Sequence, residues 1–439
     1  MNIILLSGGS GKRLWPLSND IRSKQFIKIF KNQDGEYESM VQRMYHSIKR
    51  IDGDANVVIA TSKSQASELK NQLGDDIHIS VEPERRDTFP AIVLAVSYLH
   101  DVMGVKEDES IIICPVDPYV EDDYFQALKM IDELSGNGKA NLTLMGMEPT
   151  YPSEKYGYII PKDDSPVSMV SCFKEKPDEK TAREYISKGA LWNAGIFAFR
   201  MDWLLKKAHE LLSFKDYKDL FEHFSEAKKI SFDYAVVEHE KDIQVLRFSG
   251  MWKDLGTWNT LVESMHDDTY GNVILSGDCE NVHVVNSMNL PVVVVNQKDL
   301  IVATSREGIL ITDAEGSAHI KSVVESLDSR VMFAEKSWGE FEVLDEDKES
   351  LALKLSIKKN HSMSYHCHEK REEIWTILSG NGIVTLDDRS FEVKAGDVIK
   401  IEPKMMHKIT AVSDLNLIEV QLGYEINVKD KRKDNASHE

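Results

Sequence analysis

The chain alternates short, wholly apolar runs with segments of helical spacing, and this alternation leaves few architectures open. Residues 3–6, 57–60, 111–114 and 142–145 read as strands apolar on both faces. Between them, residues 39–51, 63–73 and 90–100 place apolar side chains at helical intervals. Strands hidden on both faces require helices on both sides. The expected fold of residues 1–266 is therefore α/β, a doubly wound, mostly parallel sheet of Rossmann-like type.

With 439 residues the chain exceeds what one core ordinarily organises. Its texture changes twice. Residues 267–330 are dense in Val, Ile, Asn and Gly, with β-like runs at 282–285, 292–295 and 300–303. They read as a β-rich connecting region, a short stack of coils or a meander, closed by a helix over 314–327. In 331–439, short strands alternate with Gly, Asn and Asp turns through residue 422, the pattern of a small antiparallel barrel. The polar tail, 429–439, is expected to fray.

Charge and cysteine usage exclude several roles. A net charge of −20 would repel nucleic-acid phosphates and anionic membranes. It leaves room for a phosphate substrate held by a local basic loop. The apolar start lacks a basic flank and is too short for a signal peptide. No apolar run approaches the roughly 20 residues of a membrane span. Cys114, Cys172, Cys279 and Cys367 are scattered, without a CxxC pair, so a reducing, cytoplasmic compartment is expected.

Ser7-Gly8-Gly9-Ser10-Gly11-Lys12-Arg13-Leu14 follows the first strand and opens a short helix. Glycines let a backbone pass close to a polyphosphate and aim N–H groups at it, while Lys12 and Arg13 add charge. A Walker A loop would need Gly where Leu6 stands, and a dinucleotide fingerprint would need Gly in place of Leu14. Taken alone, the glycines also suit a plain tight turn.

The run continues through Leu14-Trp15-Pro16-Leu17-Ser18 to Lys24-Gln25-Phe26. This stretch resembles the signature of the sugar nucleotidyltransferase superfamily, its mannose-1-phosphate guanylyltransferase branch in particular. The family's usual Pro before Lys-Gln-Phe is Ser23 here. Glu82 to Ile92 resembles the base- and ribose-contacting segment, with Glu82 and Arg86 in place and Asp87 where the family has Asn. Asp117 closes the strand 111–114 and matches a metal-binding Asp, flanked by Val116 and Pro118 in place of Ala and His. Asp254, in Trp252-Lys253-Asp254-Leu255-Gly256, matches a second metal carboxylate. Tyr156-Gly157, Glu175-Lys176 and Asn193 resemble the segments that hold the sugar phosphate, and Ser231 to Ala235 also fits the branch.

The resemblance implies a substrate pair, a nucleoside triphosphate (GTP for this branch) and a sugar-1-phosphate, with pyrophosphate as leaving group. It implies that Ser7, Gly8, Gly9, Gly11, Lys12 and Arg13 hold the triphosphate. Lys24 would stand near the α-phosphate, and Mg²⁺ would bind Asp117 and Asp254. Glu175 would meet sugar hydroxyls, Lys176 the phosphate, and Asn193 would orient the sugar. A homodimer is also implied. Another hexose- or heptose-1-phosphate or another nucleotide stays open, as does a sugar- or metal-binding protein with an inactive transferase.

In the third segment Lys336 to Phe341 resembles the start of the cupin domain of bifunctional isomerase/guanylyltransferases. His366 and His368 lie two apart, so on a strand both face one side. With Glu373 and His407 they could complete a site of three nitrogens and one oxygen, suited to Zn²⁺ or another transition metal. The isomerase version has Gly, Arg and Asn where this chain has Lys404, Lys408 and Ala411, which weighs against the bifunctional alternative.

Overall fold

The computed structural model describes residues 1–9, 12–19, 21–327, 331–424, 426 and 430–433. Ser10 and Gly11 of the glycine loop lie outside the described residues.

The N-terminal half is built on a sheet of nine strands: β1 Asn2–Ser7, β2 Asn56–Ser62, β3 His78–Glu82, β4 Ser110–Pro115, β5 Leu142–Met147, β6 Gly157–Pro161, β7 Val167–Lys174, β8 Leu191–Arg200 and β9 Ile243–Phe248. Their order is β3-β2-β1-β4-β8-β5-β9-β7-β6. The first four strands are parallel, with Ile4 opposite both Val58 and Ile113. The sheet then becomes mixed. β8 runs antiparallel to both β4 and β5, and β9 runs parallel to β5. Apolarity on both faces signals a covered sheet but carries no strand direction, so this reversal is invisible in the periodicity.

Alternate residues of each strand point to opposite faces. Ile3, Leu5, Val57, Ile59 and Ile112 join one core with α1 (Met40–Ile51) and α4 (Asp122–Gly136). Ile4, Val58, Ile111 and Ile113 join a second core beneath α3 (Thr88–Asp101). Helix α1 starts at Ser39, whose hydroxyl accepts from the Gln42 N–H while the Gln42 side chain accepts from the Ser39 N–H. Helix α2 (Ala66–Leu73) is short and lies beside the glycine loop.

Residues 267–327 form stacked coils. Glu280–Asn286 pairs in parallel with Lys298–Ser305, and Val273–Leu275 with Val292–Val294. The helix expected over 314–327 is a 3-10 turn, Gly316–His319, followed by Ile320–Val324. The coils pack on the segment after the glycine loop. Leu14 and Leu17 share a core with Val285, Ile301 and Ala303. The Trp258 indole N–H donates to the Trp15 carbonyl at 2.9 Å, and the Ser305 hydroxyl donates to the Pro16 carbonyl.

The last segment is two facing antiparallel sheets, six and five strands among the described residues, around Trp375, Ile377, Ile399, Ile409 and Leu417. The tail departs from expectation: Lys431–Lys433 pairs with His366–His368. A polar strand is held there by its main chain, which a composition argument does not weigh. Residues 427–429 and 434–439 lie outside the described residues.

Candidate active site

A cavity of about 450 Å³ opens at the C-terminal edge of β1 and β4, where open α/β sheets place ligands. The glycine loop forms one wall through Gly8 and Gly9. Ser7 is fully buried behind it, its carbonyl accepting from the Thr61 hydroxyl at 3.0 Å. Gly9 has φ +129°, a conformation that L side chains rarely adopt. Lys12 opens the 3-10 turn Lys12–Leu14.

Asp117 follows β4 directly. Asp254 comes from more than a hundred residues later, on a short strand, Trp252–Asp254, that pairs antiparallel with Pro118–Val120. This ribbon sets Asp254 opposite Pro118 and so beside Asp117. Lys24 bridges them: its ammonium lies 2.8 Å from Asp117 Oδ2 and 3.5 Å from Asp254 Oδ1, and donates to the Leu255 carbonyl at 3.3 Å. Burial works against the Lys24 charge, but the two carboxylates outweigh it and hold the ammonium above its ordinary range. Arg13 is at the same corner. A Cβ on Gly256 would sit 3.2 Å from its guanidinium and 3.3 Å from Asp254 Oδ2.

Glu82, Arg85 and Asp87 line the opposite side. Arg86 does not line the cavity: its guanidinium pairs with Glu84 at 2.8 Å, and Arg85, one residue earlier, faces inward. Asp87 has φ +69° and accepts from the Thr88 N–H at the start of α3. Burial pushes the Glu82 carboxyl up to about 7, with Arg85 opposing.

Gly157, Glu175 and Lys176 do not line the cavity; they pack behind it, next to Asn193. A Cβ on Gly157 would lie 2.5 Å from Glu175 Oε2 and 3.0 Å from the Phe173 ring, so any larger residue there must displace the Glu175 carboxylate. Glu175 Oε1 pairs with Lys176 at 2.6 Å, and its buried Oε2 has no hydrogen-bond partner among the described residues. Burial opposes the Lys176 charge, and the Glu175 contact more than restores it. Tyr156 packs on Trp192 and Trp252, ring centroids 4.9 and 5.8 Å away.

The Asn193 amide is held by the protein at both ends, donating to Asp233 at 2.7 Å and accepting from the Gly195 N–H at 3.1 Å. Asp233, to which the sequence assigned no role, lines the cavity. Burial, then Glu175, push its carboxyl up to about 6. It sits at the start of a π-helical turn, Asp233–Val237. Its only sequence signal was the Ser231–Ala235 match, because a five-residue π turn has no distinctive apolar period.

In the barrel, His366, His368, Glu373 and His407 are all buried between the sheets. Ligating atoms of the three imidazoles lie within 4.8 Å of one another. Each Nδ1 faces a backbone carbonyl: Ser364 at 2.6 Å for His366, Asp430 at 3.3 Å for His368, Met405 at 2.9 Å for His407. That arrangement fixes the tautomer that leaves Nε2 as the ligand atom. His407 Nε2 lies 3.4 Å from Glu373 Oε2, and burial pushes His366 down to about 2, in its neutral form. The donor set fits a transition-metal ion. Arg371 is the competing group, its guanidinium 3.0 Å from His368 Nε2 and 3.1 Å from Glu373 Oε1. Lys404, where the isomerase version has Gly, keeps a positive φ of 71°.

A glycine loop at the edge of an α/β sheet, facing two carboxylates and a lysine across one cavity, is the layout of a nucleotide-using enzyme. The chain belongs to the Nucleotidyl transferase family, which matches residues 2–270, and it is an enzyme of that class. The Mannose-6-phosphate isomerase C-terminal family matches residues 327–433, and that segment is a cupin-like barrel. Mannose-1-phosphate guanylyltransferase RfbM of Salmonella typhimurium is 28% identical, over 96% of this chain and 94% of its own length. Alginate biosynthesis protein AlgA of Pseudomonas aeruginosa is 29% identical, over 96% and 93%. A solved structure from Thermus thermophilus, titled mannose-1-phosphate geranyltransferase, covers 75% of this chain and 99% of its own, at 26% identity and a TM-score of 0.62. Among the described residues no helix is long and apolar enough to cross a membrane.

Proposed function

We propose that this chain transfers GMP from GTP to mannose-1-phosphate, giving GDP-mannose and pyrophosphate, in the cytoplasm. The observation that carries this reading is the convergence of Asp117 and Asp254 on Lys24, at the corner where Arg13 and the glycine loop meet. The relatives named for this activity across nearly the whole chain support the choice of substrates.

The anionic phosphate of the sugar attacks the α-phosphorus of GTP, and the bond to the β-phosphate oxygen breaks in line. No protein nucleophile is required. The protein brings two anions together and shields their charge. The amides of Gly8 and Gly9, with Lys12 and Arg13, hold the triphosphate, and Lys24 steadies the α-phosphate. Asp117 and Asp254 would hold Mg²⁺, whose preference for oxygen ligands and retained waters suits two convergent carboxylates. When bound it supplies charge screening between the phosphates. Glu175, with a buried oxygen unpartnered among the described residues, accepts from sugar hydroxyls, and Lys176 pairs with the sugar phosphate. Asn193 orients the sugar, itself fixed by Asp233.

The barrel residues His366, His368, Glu373 and His407 would hold a transition-metal ion once Arg371 shifts from His368.

The test is pyrophosphate release with Mg²⁺ across four nucleoside triphosphates and several sugar-1-phosphates. Turnover confined to GTP with mannose-1-phosphate is expected. Turnover with another pair would reassign the substrates, and silence from folded protein would overturn the reading.

A further inference from the structure

Behind the glycine loop lies a polar network that takes no part in the chemistry above. Ser23, Gln65, Thr61 and Ser7 are fully buried and Gln25 nearly so, yet none of them lines the cavity. The Ser23 hydroxyl donates to the Gly9 carbonyl at 2.8 Å. The Gln65 amide nitrogen donates towards both, 3.3 Å from that same carbonyl oxygen and 2.5 Å from Ser23 Oγ. The three groups close a triangle around the Gly9 carbonyl oxygen. Gln65 Oε1 is fixed in turn, 3.0 Å from the Thr61 hydroxyl and 3.4 Å from the Gln25 amide.

We infer that Ser23 and Gln65 are positioning residues that set the nucleotide affinity of the glycine loop. The inference rests on the proposed reading of that loop as the triphosphate cradle. Gly9 is in the left-handed half of conformational space, where glycine has wide freedom, so local sequence does not fix its peptide plane. Two buried donors do, and they turn its carbonyl oxygen into the protein. An oxygen free to swing outward would present negative charge to a polyphosphate. Holding it back therefore favours nucleotide binding without any contact between Ser23 or Gln65 and the nucleotide. Because both donors share one acceptor and bond each other, loss of either loosens the whole triangle.

Ser23→Pro is the cleanest variant. Ser23 has φ −76° and ψ 163°, which proline accepts, so the change removes the hydroxyl without opposing the backbone. Gln65→Leu keeps the volume and removes both donors, and Ser23→Ala covers the case in which either of these fails to fold. Binding of Mg²⁺–GTP to the full chain is measured by calorimetry, alongside KM for mannose-1-phosphate and the thermal midpoint. Each single variant is expected to weaken GTP binding about tenfold, the effect of one lost hydrogen bond. The mannose-1-phosphate KM should stay within about twofold. The double variant should be no weaker than the worse single, since the pair acts as a unit. GTP affinity unchanged in the variants, additive losses, or an equal rise in the mannose-1-phosphate KM would overturn the inference. Wild-type protein that binds no GTP would instead sink the proposed function, a distinguishable result.

Discussion

Arg22 approaches Glu68 to 3.8 Å across the seam between helix α2 and the strand Phe333–Lys336, and the Glu68 carboxylate is fully buried there. Neither oxygen has a hydrogen-bond partner among the described residues. The same seam carries a bond from the Asn71 amide to the Lys336 carbonyl at 2.8 Å, and the Arg22 guanidinium 5.3 Å from the Phe333 ring centre. Gln65, at the cap of helix α2, thus lies behind the glycine loop, and Asn71, within the helix, lies against the barrel segment.

Burial, then Glu335, push the Glu68 carboxyl from 4.5 up to about 8, with Arg22 opposing. The folded chain therefore keeps a proton that the unfolded chain has already lost between those values. Stability from this group is complete below 4.5 and is lost as pH rises towards 8. Urea midpoints should fall between about pH 5 and about pH 9 in wild type and fall less in Glu68→Gln. Identical slopes would remove Glu68 from the account.

Asp117→Ala should lower turnover by about a hundredfold or more in protein that still folds, because it removes a metal carboxylate but no apolar core contact. An active variant would refute the metal assignment of Asp117.

Gly157→Ala drives a methyl to within 2.5 Å of Glu175 Oε2 and 3.0 Å of Phe173. Overpacking of this kind costs about 1–3 kcal/mol. The effect should fall on the KM for mannose-1-phosphate and spare GTP affinity. Equal losses for both substrates would place Gly157 away from the sugar end.

Metal analysis of the full chain should find a transition-metal ion that His366→Ala removes, and Arg371→Met should raise its affinity. Guanylyl transfer should survive His366→Ala. A metal-free wild type after reconstitution would leave the barrel without a metal role. A mannose-6-phosphate isomerase assay on the loaded protein separates a metal-binding barrel from a second active site.

Much of the fold was legible before any coordinates. The strands at 3–6, 57–60, 111–114 and 142–145 fall inside β1, β2, β4 and β5. The helical spacing at 39–51 falls on α1 and its capping residue Ser39. These are local properties, set by side-chain period and by caps within three residues. The antiparallel insertion of β8 was not legible, because both directions bury the same apolar strand. Nor was the strand Lys431–Lys433, whose residues are polar and whose pairing is main-chain.

The site divides the same way. The sequence by itself determined the candidates for phosphate and carboxylate chemistry, since Gly8, Gly9, Arg13, Lys24, Asp117 and Asp254 stand in recognisable order along one chain. Only the tertiary structure decided what they do to one another. It set Asp254 beside Asp117 through a two-stranded ribbon, turned Arg85 rather than Arg86 into the cavity, placed Asp233 behind Asn193, and closed Ser23 and Gln65 on the Gly9 carbonyl. Asn193 and Asp233 are 40 positions apart, and Ser23 and Gln65 are 42. Hydrogen bonds and charge pairs act over a few ångströms in space, a separation that folding sets and sequence order does not record.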